Sequence, residues 1–222
     1  MSFFCKKYTI SDLNCPSIKS RRIDRNSYKI AIIDDEPFEY KERLQQLNFN
    51  IRVYTDIADV KFLSEFDVVI CDIKGVGKSM NENHGGALLL NEAKKMYPYK
   101  MYAAYSGSLQ NITINEYLEG VKIIKKDYVF EDWLSALDSL IAEYSNPATV
   151  WRKIRDWLLS QNVSIHDVAR LESEYVNTVL NKKSDFRNFY KKSETSFNLS
   201  PETIQTIKVI ISGGLKILFS AV

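Results

Sequence analysis

The chain has 222 residues, enough for one large domain or for one standard domain with a smaller appendage. Hydrophobic residues make up 45% and charged residues 26%, the balance of an ordinary soluble globular protein, and the absence of repeats or low-complexity tracts excludes fibrous and disordered classes. The net charge of +2 conceals a division. Residues 1–28 carry six Lys/Arg against two Asp/Glu (+4), residues 29–146 carry 13 against 19 (−6), and residues 147–222 carry 11 against seven (+4).

Residues 1–27 are polar and basic, with Pro16 and the run Lys19-Ser20-Arg21-Arg22, and read as an N-terminal extension. The segment Met1 to Lys7 has no apolar stretch long enough for a signal peptide. Cys5, Cys15 and Cys71 are an odd set at no metal-ligand spacing, which points to reduced thiols and a cytoplasmic protein.

From residue 28 onward strand and helix patterns alternate. Strands are expected at 28–33, 51–54, 67–71, 101–105 and 121–124. Helices are expected at 38–47, 58–64, 86–96, 112–118 and 131–144, with breakers at Asn48-Phe49-Asn50, Tyr97-Pro98 and Glu119-Gly120. Five strands, each followed by a helix, give a three-layer α/β domain over residues 28–146 with a doubly wound five-stranded parallel sheet. Ser145-Asn146-Pro147 marks its end. Residues 147–222 change to a helical period and read as a small all-α domain, with helices at 148–160, 164–181 and 201–221 and a polar stretch at 182–198 between the last two.

The chemistry gathers at the carboxyl ends of the strands, where ligand sites of open parallel sheets lie. Asp34-Asp35-Glu36 follows the first strand and Asp72 the third; Ser106-Gly107 follows the fourth, and Lys125-Lys126-Asp127 the fifth. A strand buried on both faces has no use for an acid except at its exposed end. Carboxylates converging there make a hard oxygen cage suited to Mg²⁺.

In order, spacing and strand-end placement these residues resemble the receiver domain of two-component response regulators, over about residues 28–146. The resemblance implies a flavodoxin-like fold and a phosphorelay signal-transduction role. Asp72 would be the phosphoacceptor, served by a sensor histidine kinase or a phosphotransfer protein. Asp34 and Asp35 would hold Mg²⁺ together with Asp72, with Asp35 the closer ligand. Ser106 would bond a phosphoryl oxygen, and Lys126 would pair first with Asp72 and then with the phosphoryl group. Lys125 stands beside it as an alternative, and the strand pattern favours Lys126. No enzymatic activity is implied beyond self-phosphorylation from small phosphodonors and autodephosphorylation.

Three features depart from the family. The loop at 73–85 is longer and lacks the usual Pro, Lys126 is followed by Asp127 where Pro is common, and Ile123 stands at a position that is usually aromatic.

Several motifs have plainer readings. Gly75-Val76-Gly77-Lys78-Ser79 is similar to the end of a phosphate-binding loop, but it lacks the upstream glycine and reads as a flexible loop. His84 and His166 have no partner at metal spacing and read as surface residues, and Cys71 reads as a packed thiol. Ser164 to Arg170 resembles the start of a helix-turn-helix. The acids at Glu172 and Glu174, and the missing turn glycine, favour one continuous helix and argue against DNA. The lysines and aromatics of 182–192 read as a solvated face. Residues 203–222 are apolar enough to raise a membrane contact, but Lys208, Lys216 and Gly213-Gly214 interrupt them, and a helix buried in the small domain or in a homodimer interface fits better. The expected function is phosphorylation-controlled signalling through the C-terminal helices. The alternatives are a phosphorylation-independent receiver-fold scaffold and an effector with a membrane-active terminal helix.

Overall fold

The computed structural model describes residues 7–15, 23–80, 85–107 and 116–181, together with Ile204 and Lys208. The expectations for 182–198 and 201–221, and for His84, lie outside the described residues. Of the helix expected at 112–118, residues 116 and 117 are described as helical. The chain divides into two compact units, one of residues 23–144 and one that joins residues 1–22 to 145–222.

The larger unit is built on five parallel strands, β1 (Lys29–Ile33), β2 (Asn50–Tyr54), β3 (Val68–Asp72), β4 (Met101–Ser106) and β5 (Lys122–Lys125). Their spatial order is β2-β1-β3-β4-β5, a doubly wound, flavodoxin-like sheet. β1 and β3 are wholly apolar apart from their ends because both faces are covered. Alternation sorts the side chains. Ala31, Ile33, Val69, Cys71, Tyr102 and Ala104 form one buried cluster with Ala87, Leu89, Leu90 and Ala93 of helix α2 (Gly85–Met96). Ile30, Ile32, Val68, Ile70 and Ala103 therefore look to the other face, where helix α3 (Phe130–Tyr144) buries Trp133 and Leu137.

Helix α1 (Lys41–Gln46) is shorter than the expected 38–47. Phe38 and Tyr40 are drawn out of it to pack edge-on against Trp133 and Phe130 of α3, with centroids 4.8 and 5.8 Å apart. Arg43 then covers Phe130 at 3.6 Å from the ring centre. The connection from β2 to β3 is a 3-10 turn, Val60–Glu65, capped by Asp59.

In the second unit, helix α4 (Pro147–Ser160) starts with Asn146 as cap and Pro147 in its first turn, and α5 (Ile165–Leu180) starts on Ser164. α5 runs unbroken through Arg170 to Tyr175, so no helix-turn-helix forms there. Trp151 stacks on Tyr175 with centroids 4.9 Å apart. The segment 7–15, expected as part of a basic N-terminal extension, packs on these helices: Tyr8 N–H donates to Ser173 Oγ at 2.9 Å, and Ile10 N–H donates to Glu172 Oε1 at 3.0 Å. Among the described residues no helix is long and apolar enough to cross a membrane.

Candidate phosphoacceptor and cation site

The site stands at the carboxyl end of the sheet because strand parity puts it there. Asp72 is in register with Tyr105, and Tyr105 with Ile124, so Asp72, Tyr105 and, two residues past Ile124, Lys126 share one face. Asp34 follows β1 on the same parity, its N–H bonded to Tyr54 O at 2.9 Å. Asp34 and Asp72 are buried, at 3% and 2% exposure, while Asp35 is exposed.

Oxygens from Asp34, Asp35 and Asp72 lie within 4.8 Å of one another. Two ligands of one ion stand at most about twice the metal–oxygen distance apart, ~4.2 Å for Mg²⁺ and ~5 Å for Ca²⁺. The cluster is therefore on the scale of a hard-cation site, and its all-oxygen donors favour Mg²⁺, Mn²⁺ or Ca²⁺ over softer metals. Burial pushes the Asp34 carboxyl up, and the nearby Asp72 charge adds to this against the Glu36 N–H that Asp34 accepts at 3.0 Å. Such a group is stabilised as an anion by a cation placed against it.

Lys126 supplies the fixed positive charge. Its Nζ is 2.5 Å from Asp72 Oδ2 and 3.9 Å from Glu36 Oε2. Partial burial alone would lower its pKa, but the bond to Asp72 and the charges of Asp72, Asp34 and Glu36 outweigh it and raise the net value. Lys125 pairs in register with Ser106 on the opposite parity, so of the two lysines Lys126 meets Asp72. The other Asp72 oxygen, Oδ1, accepts Lys74 N–H at 3.2 Å.

Ser106 is buried (5% exposed) at the end of β4, one residue beyond Tyr105 and on the opposite face by alternation. Its carbonyl accepts Lys126 N–H at 3.3 Å, which links it to the cluster through backbone. Cys71 is buried; its Sγ donates to the Asp72 carbonyl at 3.1 Å, and burial pushes the thiol well up, as for an inert packed cysteine.

Three contributors escaped sequence reasoning. Tyr105 stands 5.1 Å from Lys126 Nζ by ring centre and rests on Trp133 at 5.2 Å; its register with Asp72 was the available signal. Lys78 places Nζ 3.6 Å from Asp35 Oδ2. Gly75, at φ +83°, lies so close to Asp35 that a Cβ there would fall 2.1 Å from Oδ2. The described part of the loop, expected to be flexible, is anchored: Gly77 N–H donates to Asp56 Oδ1 at 2.9 Å, and Met80 N–H closes a turn on Gly77 O at 2.8 Å. His166 lies exposed on α5.

No protein-family model matches this chain, and no curated protein does. Among solved structures it is similar to the beryllofluoride-activated NtrC4 receiver domain dimer, with 14% identity over 52% of this chain and 98% of that one and a TM-score of 0.42. It is also similar to NtrX from Brucella abortus in complex with ATP, with 18% identity over 69% of this chain and a TM-score of 0.37; there it spans 35% of the other chain. The fold assignment itself rests on the strand order β2-β1-β3-β4-β5 with helices on both faces.

Proposed function

We propose that this chain is a response-regulator-like signalling protein that accepts a phosphoryl group on Asp72. The observation that carries the reading is the pairing of a buried strand-end carboxylate with Lys126 at 2.5 Å, beside two further carboxylates within 4.8 Å. An Asp72 oxygen attacks the donor phosphorus. The new Oδ–P bond forms as the P–N bond of a phosphohistidine breaks, and the electron pair leaves with the imidazole nitrogen. With acetyl phosphate the P–O bond breaks and acetate leaves.

Attack brings two anions together, so the site must neutralise charge. Mg²⁺ held by Asp34, Asp35 and Asp72 would supply that neutralisation. Lys126 balances the Asp72 charge before transfer and the acyl phosphate after it, as a single ammonium can on a flexible stem. Ser106, tied through its carbonyl to Lys126, would have to turn from the face that alternation gives it to donate its hydroxyl to the new oxygens. The product adds roughly −1.5 to −2 charges at one strand end, and the C-terminal helical unit carries the response as altered self-association or partner binding. The donor is a sensor histidine kinase or phosphotransfer protein, and the chain turns over no other substrate.

The test is incubation with Mg²⁺ and acetyl phosphate, followed by intact mass and light scattering, with Asp72→Asn as control. A one-phosphate gain absent from the variant supports the reading. A chain that stays unmodified under conditions that label ordinary receivers removes it.

A further inference from the structure

The loop after Asp72 delivers a second lysine to the site. Lys78 sits in the turn closed by Met80 N–H on Gly77 O, and that turn is fixed in turn by Gly77 N–H on Asp56 and by Val76, which is buried. Nearer β3, Gly75 passes so close to Asp35 that a Cβ at 75 would have to push that carboxylate aside. The turn is held at Gly77, and Lys78 Nζ comes to rest 3.6 Å from Asp35 Oδ2. Asp35 is one of the three carboxylates whose oxygens converge within 4.8 Å.

We propose that Lys78 is a tethered competitor for the divalent cation: its ammonium rests on Asp35 in the metal-free protein and is displaced when a cation binds. The inference rests on the cation-site reading above and adds a regulator to it. A divalent ion on Asp35 and an ammonium against the same carboxylate repel, and the exposed Lys78, at the longer distance, is the one free to swing away. Lys126 is held closer, on the buried Asp72, and stays beside the ion. The Lys78 side chain is largely exposed and the Asp35 side chain partly so, which keeps the pair weak enough to exchange. Its consequence is a site that fills only when cation is plentiful, with the threshold set by the turn.

The experiment is Mn²⁺ titration of the full chain followed by electron paramagnetic resonance of the free ion, which needs no phosphoryl transfer. Lys78→Gln is expected to bind Mn²⁺ about threefold to fivefold tighter than wild type at low salt, the scale of a solvent-facing ion pair. The gap is expected to narrow at high salt, where such pairs are screened. Lys78→Arg is expected to keep the wild-type affinity. Lys74→Gln removes the same charge from an exposed lysine four residues earlier and is expected to change little. Equal Mn²⁺ affinity in wild type and Lys78→Gln would overturn the competitor while leaving the cation site standing. Equal tightening by Lys74→Gln would overturn it too, by showing a diffuse field in place of a pair. Failure of wild type and Lys78→Gln alike to bind at millimolar Mn²⁺ would overturn both readings.

Discussion

Lys126 holds its Nζ 2.5 Å from Asp72 Oδ2 while the same ammonium faces the Tyr105 ring at 5.1 Å. One lysine thus meets a charge from β3 and an aromatic face from β4. The bond and charge of Asp72 are what lift its pKa against burial. The folded value lies above the unfolded one, so the contribution to stability is complete below the unfolded pKa and is lost as pH climbs through the folded value. Asp72→Asn is expected to bring the Lys126 titration down. A ¹³C-lysine NMR titration of the two proteins checks this; an unmoved Lys126 midpoint would mean the pair does not persist in solution.

Lys100 behaves in the opposite sense. It is 1% exposed, and its Nζ donates to the carbonyls of Leu63 at 2.6 Å, Ser64 at 2.7 Å and Phe66. It thereby closes the end of the 3-10 turn Val60–Glu65. Burial lowers its pKa to about 8, with Asp67 and Glu65 opposing. Between about pH 8 and the unfolded value near 10.4 the unfolded chain holds a proton that the folded chain has released, so stability rises with pH by up to roughly 3 kcal/mol. Denaturant curves at pH 7.5 and 9.5 are expected to show that rise in wild type and to lose it in Lys100→Met. Parallel curves would remove Lys100 as the titrating group.

Gly86, the second residue of α2, lies directly against the end of β3. A Cβ on it would lie 1.8 Å from the Asp72 carbonyl oxygen and 2.9 Å from its carbon, both backbone atoms with little room to move. In an open helix Gly→Ala stabilises by up to ~1 kcal/mol, whereas forced overpacking costs about 1–3 kcal/mol. The clash wins, and Gly86→Ala is expected to destabilise. It is also expected to shift Asp72, so that the phosphorylation proposed above falls with it, as labelling with acetyl phosphate would read. A gain in stability by urea denaturation would contradict the close approach.

Glu172 performs two jobs in the second unit. Oε1 accepts Ile10 N–H at 3.0 Å, and Oε2 accepts Trp151 Nε1–H at 2.7 Å. Glu172→Ala leaves both donors without that acceptor and is expected to cost about 1–3 kcal/mol for each one that water does not reach. Glu172→Gln can accept through only one atom, and its amide N–H₂ opposes the second donor, so an intermediate loss is expected. Limited proteolysis ahead of residue 15 reads the release of the N-terminal segment, and Trp fluorescence reads the loosened indole.

How far the sequence carried the fold follows from parity. Apolar runs ending in acids located β1 and β3, and alternation from Ile124 alone favours Lys126 over Lys125. What escaped is non-periodic or distant. The Glu172–Ile10 bond joins residues 162 apart, and nothing local in a basic N-terminus announces it. Lys100 looks like a surface lysine until the carbonyls of Leu63, Ser64 and Phe66 converge on it. The Lys78–Asp35 pair depends on backbone angles at Gly75 and Gly77, both with positive φ, and hydrophobic patterning is silent about those. α1 came out short because its first aromatic residues answer to α3 and not to their own helix.

The close approach of Gly77 and Gly85 has a consequence for how this protein can be altered. A Cβ on Gly85 would fall 2.2 Å from Gly77 O, so the chain leaves and returns through nearly the same point. A side chain at 85 would meet backbone at 77, which the Asp56 carboxylate holds in place, so both positions are closed to larger residues and a change at this crossing is felt at the start of α2 and in the turn that carries Lys78.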